Sequence, residues 1–272
     1  MKFKYLVIIF CAVIFFILTT AVLLLLLVAG SEFLVHIKQI ILPLVIFMVV
    51  ILVFMGLFFF SNYRLFSLLE REDWPALSFY LEKQVYEKGR YSSRNVRLLA
   101  SSYLVVSDYP SVIKLEKKIL TVNPSLIRKN VLVFGSARIL SGNHKESAAF
   151  FKTYADKCNG DENQWVKWFY GFSLLLSGDF SSAEAEFSLL AVSSDNALVT
   201  GLSSNFLYNT IAKHSVKTQE CKDIAESGKQ RVKNTFKNFN NWINGIEKIK
   251  SDIHIAIIKK YIDETGKWIF SL

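Results

Sequence analysis

A chain of 272 residues that is 52% hydrophobic, with a positive mean hydropathy, carries more apolar side chain than a purely water-soluble protein and points to membrane segments. Its 32 basic against 23 acidic residues leave a net charge of +9, which favours an anionic membrane surface or an acidic partner. Three cysteines, Cys11, Cys158 and Cys221, lie far apart with no CxxC, which excludes a disulfide framework and a zinc signature and matches a reducing compartment.

The apolar excess sits at the N-terminus. No charged residue occurs in 5–29 or in 40–60, and each run reaches the ~20 residues that cross a hydrocarbon core. Residues 1–61 are therefore predicted to be a two-span transmembrane anchor, with the lipid bilayer as partner of both runs. The first run exceeds the h-region of a secretory signal, and Ser31 stands where a lipoprotein site would need cysteine, so an uncleaved helix is expected. Lys2 and Lys4 precede the first span, the loop "GSEFLVHIKQ" holds Glu32, His36 and Lys38, and Arg64 and Arg71 follow the second. This bias places both ends on the cytoplasmic side of the inner membrane in a multi-pass arrangement. Residues 62–272 keep 29 basic against 22 acidic residues. They are spread along helical faces such as "KQRVKNTFK", a pattern of solvated surface that does not favour nucleic acid.

Residues 62–92 read as a degenerate helix pair. Asp73-Trp74 lies 35 residues before Asp108-Tyr109, and Pro75 suits the first position of a helix. Its first helix is expected to continue directly from the second span.

Residues 93–197 contain three similar segments, 94–124, 129–159 and 165–195, whose starts are 35 and 36 residues apart. Ala100, Gly135 and Gly171 fall midway along the first helix of each, where a small side chain lets a neighbouring helix approach. "SDY" at 107–109, "SGNH" at 141–144 and "SGDF" at 177–180 then close that helix and cap the next. Second helices follow with single apolar faces: Val112, Leu115 and Ile119; Ala148, Phe151 and Tyr154; Ala183, Phe187 and Leu190. Pro124 stops the first unit.

This pattern resembles the tetratricopeptide repeat family. The third segment matches best, through Gly171, Gly178, Asp179, Phe180, Ala183 and Phe187; the first keeps Ala100, Tyr103, Asp108, Tyr109 and Pro124. In the second, Arg138 stands where an aromatic is usual and Ser147 where alanine is usual. The resemblance implies an all-α fold, a transmembrane helical hairpin followed by an α-solenoid of helix pairs. Residues 198–272 are expected to cap the stack. Within them a last helix of about 242–262 carries Ile243, Ile246, Ile249, Ile253, Ile257 and Ile258 on one side, and "GKWIFSL" forms a short tail.

No phosphate-binding glycine loop, GxSxG elbow or HExxH is present, and His36, His144, His214 and His254 are dispersed. Asp161-Glu162 and the acidic run at 70–73 read as solvated turns and caps. No catalytic residue, metal or cofactor is therefore expected, and the chain is read as a non-enzyme.

In the resembling family the first helices line a concave groove. Carried over, this selects Arg94, Arg97 and Ser101; Lys129, Leu132 and Ser136; and Trp165, Trp168 and Phe172. The groove is then basic at one end and aromatic at the other, suited to an extended peptide or helix with a carboxylate and an apolar anchor. The function expected is a membrane-anchored scaffold that binds a partner protein, in a homo- or hetero-oligomer or alone. One alternative is a structural subunit of a larger membrane assembly. Another is an accessory factor of a membrane-linked biosynthetic pathway, since two N-terminal spans followed at once by repeats resemble the layout of HemY-type proteins.

Overall fold

The structure is a computed structural model that describes residues 9–10, 12–17, 19–20, 23–24, 30–158, 160–250 and 252–271. Every regular element among the described residues is helical. The chain divides into two compact units, Met1–Tyr80 and Leu81–Leu272.

In the first unit, the described parts of the expected 5–29 span are helical, and the rest of that span lies outside the described residues. Helix α1, Gly30–Glu70, has 41 residues and would run about 60 Å at the usual helical rise. The expected loop at 30–39 is thus helical. Its two charged side chains are too few to stop a helix, and no capping glycine follows Gly30 before Pro43, which α1 accommodates. The segment Ile46–Glu70, of mean hydropathy 2.3, is long and apolar enough to cross a membrane, and its most apolar window is not covered by protein. After a turn at 71–73 comes α2, Trp74–Glu82, which passes into a π-helical turn at Lys83–Glu87.

The second unit holds α3 (Ser93–Val105), α4 (Tyr109–Val122), the short α5 (Ser125–Arg128), α6 (Val131–Leu140), α7 (His144–Tyr154), α8 (Gly160–Leu176) and α9 (Phe180–Ser193). Then follow α10 (Ala197–Asn209), α11 (Thr218–Phe236), α12 (Phe239–Glu247) and α13 (Ile253–Phe270). Consecutive helices pack as pairs: α3 with α4, α6 with α7, α8 with α9, and α10 with α11.

One turn recurs along the chain. Glu72, Ser107, Gly142 and Gly178 take left-handed backbone angles, at spacings of 35, 35 and 36 residues. Just after each, the amide of Asp73, Asp108, Asn143 or Asp179 donates back to the carbonyl of Leu68, Tyr103, Arg138 or Leu174, at 2.8–3.2 Å. These bonds satisfy carbonyls that the helix end would leave open. Asp73, Asp108 and Asp179 also cap the next helix, each accepting from the backbone amide three residues on, at 3.1–3.2 Å.

The small residues do what their spacing suggests. A Cβ on Gly135 would stand 2.0 Å from the Phe151 ring, and one on Gly171 would stand 3.1 Å from Phe187. At the equivalent place in the first pair, buried Ala100 is matched by Glu116 sixteen residues on, where its neighbours have phenylalanine. Glu116 is buried, and Arg138 of α6 meets it at 2.6 Å. The Arg138 guanidinium also lies 4.2 Å above the Phe150 ring. Arg138, which departs from the repeat pattern, thus answers a departure in the preceding pair. Ser147 behaves similarly, hydrogen-bonding Ser173 of α8 at 2.8 Å in the interior.

The C-terminal part differs from a single closing helix. The expected 242–262 helix is two, α12 and α13, separated by a break that ends at Asp252 in extended backbone, and the "GKWIFSL" segment is helical as far as Phe270. Fully buried Trp242 of α12 explains the arrangement: a Cβ on Gly201 of α10 or Gly266 of α13 would meet its indole at 3.1 and 2.5 Å. The two glycines let α10 and α13 close around the ring. Arg231 of α11 holds the end of α9, donating to the carbonyls of Ala191 and Ser194 at 2.8 Å each and to that of Val192.

Candidate partner-binding face

The first helices of three successive pairs, α6, α8 and α10, face α13. The aromatic sequence of α8 makes this contact. Trp165 packs edge-on to the His254 ring at 5.4 Å and Phe169 does so at 6.0 Å, while Phe172 meets Tyr261 at 5.5 Å. Tyr261 also meets Phe206 of α10 at 5.3 Å. Trp168, fully buried, stacks on Phe172 at 5.1 Å and touches Phe187 and Phe206. Asn205 of α10 donates to Thr265 of α13 at 2.9 Å.

The nine residues selected by resemblance are therefore divided. Trp165, Trp168, Phe172, Leu132 and Ser136 are buried, the three aromatics as core beneath or beside α13 rather than as open lining. A signal for this was available: Trp165, Trp168, Phe169 and Phe172 place large apolar groups around more than one face of α8, and a helix apolar on several sides is covered on several sides. Arg94, Arg97 and Lys129 are exposed and Ser101 is half-buried.

The exposed part is held by a polar junction. Asn130, buried, donates to the Leu126 carbonyl at 2.8 Å and to Ser93 Oγ at 3.4 Å. Its side-chain oxygen accepts from Arg97 Nε at 3.3 Å, and Arg97 also donates to the Lys129 carbonyl at 3.3 Å. This ties α3 to the start of α6 and fixes the Arg97 guanidinium at the edge of α8 and α13.

Two further groups answer to that charge. Burial pushes the His254 pKa down to about 4, with the positive Arg97 adding to the effect, so the imidazole is neutral. Burial raises the Glu162 carboxyl, and Arg97 opposes the rise. Cys158, also buried, has its thiol pKa raised by burial. Glu162 is expected in a solvated cap and His254 in no particular role; the structure half-buries Glu162 near Arg97 and sets His254 of α13 against Trp165 and Phe169 of α8, contacts that no local pattern announces. A notch of about 220 Å³ opens farther along, between α10 and α13, with Asn205, Phe206, Asn209, Tyr261, Glu264 and Trp268 on its walls. Among the described residues no group of three or more His, Cys, Asp or Glu is placed to hold a metal ion.

The arrangement can present cations on a rigid helical support, and its aromatic side is already filled from within the chain. Compared with known proteins, residues 111–271 match the model of a family described as "Uncharacterised Treponema protein", a stretch from the first turn of α4 to the end of α13. A protein of Treponema pallidum (strain Nichols), described as "Uncharacterized protein", is 24% identical over 236 residues, covering 83% of this chain and 75% of its own length. No solved structure matches.

Proposed function

This chain belongs to that Treponema family, and on this footing we propose that it is a membrane-anchored helical-repeat scaffold, without catalysis of its own, that binds a partner protein at the cytoplasmic face of the membrane. The observation that carries the reading is the recurring left-handed turn, at 35- and 36-residue spacing, in a chain that also has a long uncovered apolar helix. Repeated helix pairs of this kind resemble tetratricopeptide repeats, and stacked pairs serve as extended docking surfaces. The positive residues Lys2, Lys4, Arg64 and Arg71 support an orientation with both ends of the anchor in the cytoplasm.

Because α13 covers the aromatic part of the candidate lining, the surface left for a partner is the basic one, Arg94, Arg97 and Lys129. It suits an acidic segment, for which Arg offers paired hydrogen bonds. The test is to solubilise membranes gently and compare what co-purifies with the full chain and with an Arg94→Glu, Lys129→Glu variant. Arg97 is spared because it holds Asn130. Loss of a protein retained by the wild type is expected, and an unchanged set of companions would contradict this surface.

A further inference from the structure

We propose that the end of α1 and the body of α2 form an aromatic and basic collar that lies in the headgroup layer of the bilayer and sets the depth of the anchor. The inference rests on the membrane reading above and adds which side chains meet the lipid surface.

No charge occurs in residues 39–63 of α1, and Arg64 ends that run. The run would extend about 37 Å at the helical rise, slightly more than the ~30 Å of hydrocarbon in a bilayer. From residue 46 onward most of its side chains are exposed, Phe54 by 75% and Phe60 by 86%. Beyond Arg64 the helix continues to Glu70, turns, and returns as α2, whose start Asp73 caps. The return brings the Tyr80 ring within 5.5 Å of the Arg64 guanidinium. Phe79 and Tyr80 are thereby carried back to the level of Tyr63 and Arg64, where the uncharged run stops.

These rings keep much of their surface outside the protein, Tyr63 being 56% and Phe79 55% exposed. Single exposed aromatics are ordinary on any protein surface. Here the Tyr80 ring and the Arg64 guanidinium meet beside exposed Tyr63 and Phe79, at the end of a largely exposed apolar helix surface. Tyrosine rings favour the membrane–water boundary, where the hydroxyl stays wet, phenylalanine adds apolar contact just below it, and an arginine there reaches headgroup phosphate while its stem stays among apolar groups.

The test uses the full chain, with Cys11→Ser, in phosphatidylcholine–phosphatidylglycerol vesicles that carry spin labels either at the headgroup or at mid-chain. An environment-sensitive fluorophore is placed by Phe79→Cys or Leu57→Cys, and Tyr63→Cys gives a second reading at the collar; each variant is used only at wild-type helicity. At 79 and 63, headgroup quenching several-fold stronger than mid-chain quenching is expected. The order should reverse at 57. Normal quenching at 57 with none at 79 and 63 would overturn the collar while leaving the span intact. Mid-chain quenching at 79 equal to that at 57 would also overturn it. If 57 itself were unquenched by the mid-chain label, the membrane reading would fall and the collar with it.

Discussion

His254 lies against Trp165 and Phe169, and burial keeps its imidazole neutral down to about pH 4. An unfolded histidine takes up its proton near pH 6.5, so between pH 6.5 and 4 the unfolded chain binds more protons than the folded one. Stability is therefore intact above that window and is lost as pH falls through it, by up to about 3 kcal/mol. Glu162, whose carboxyl is raised, works in the opposite sense, because the folded state takes its proton first and regains stability on acidification. Comparing wild type with His254→Phe removes Glu162 from the difference. Thermal melts of the full chain in detergent should show the wild type losing ground to the variant as pH drops from 6.5 to 4. A constant offset across that range would mean that His254 is not enclosed by α8 and α13. Nothing in the spacing around "SDIHIAII" marks this histidine, because the aromatics that enclose it lie some ninety residues earlier in the chain. The turn residues are the opposite case. Gly142 and Gly178 need positive φ, and Asp108 and Asp179 need a free amide to accept from, so local chemistry alone identified them.

Between elements, the pair Glu116–Arg138 joins α4 to α6 and so connects one helix pair to the next. Both side chains are largely withdrawn from water, 6% and 14% exposed. Arg138→Ala would leave a buried carboxylate unpaired, and ~3–5 kcal/mol of stability should be lost. Replacing both, as Glu116→Leu with Arg138→Met, should recover most of it, since apolar groups of similar size fill such sites as well as an ion pair does. Denaturant titration of the single and double variants measures both. A loss below ~1 kcal/mol for Arg138→Ala would place the pair among exposed ion pairs instead. The repeat comparison marked Arg138 as out of pattern but not its partner, because Glu116 has the same polarity as the exposed charges around it. The segment 30–39 is helical rather than the expected loop for a related reason: a helix is ended by capping chemistry, which that stretch lacks, and not by a few polar residues between apolar runs.

At the scale of the whole molecule, the chain combines an apolar helix of membrane-spanning length with helix pairs whose aromatic face is filled by α13. The all-helical character and the helix-pair boundaries were legible in the sequence. The isoleucine face expected over 242–262 holds only at Ile246 and Ile258; once the chain breaks before Asp252, the buried face of α13 runs instead through Ile255, Ile258, Ile262 and Ile269, and periodicity does not reveal which element covers it. Five of the nine candidate lining residues are buried, Trp165 and Phe172 against α13, and the basic remainder carries the functional proposal. The most direct test places a photo-cross-linking residue at 94 or 129 of the full chain in its native membrane, with 259 on the outer side of α13 as reference. A discrete protein adduct at 94 and 129, absent at 259 and lost when residues 1–61 are removed, is the predicted result. Adducts of equal yield at all three positions, or none at 94 and 129, would contradict a membrane-held scaffold that meets its partner through this face.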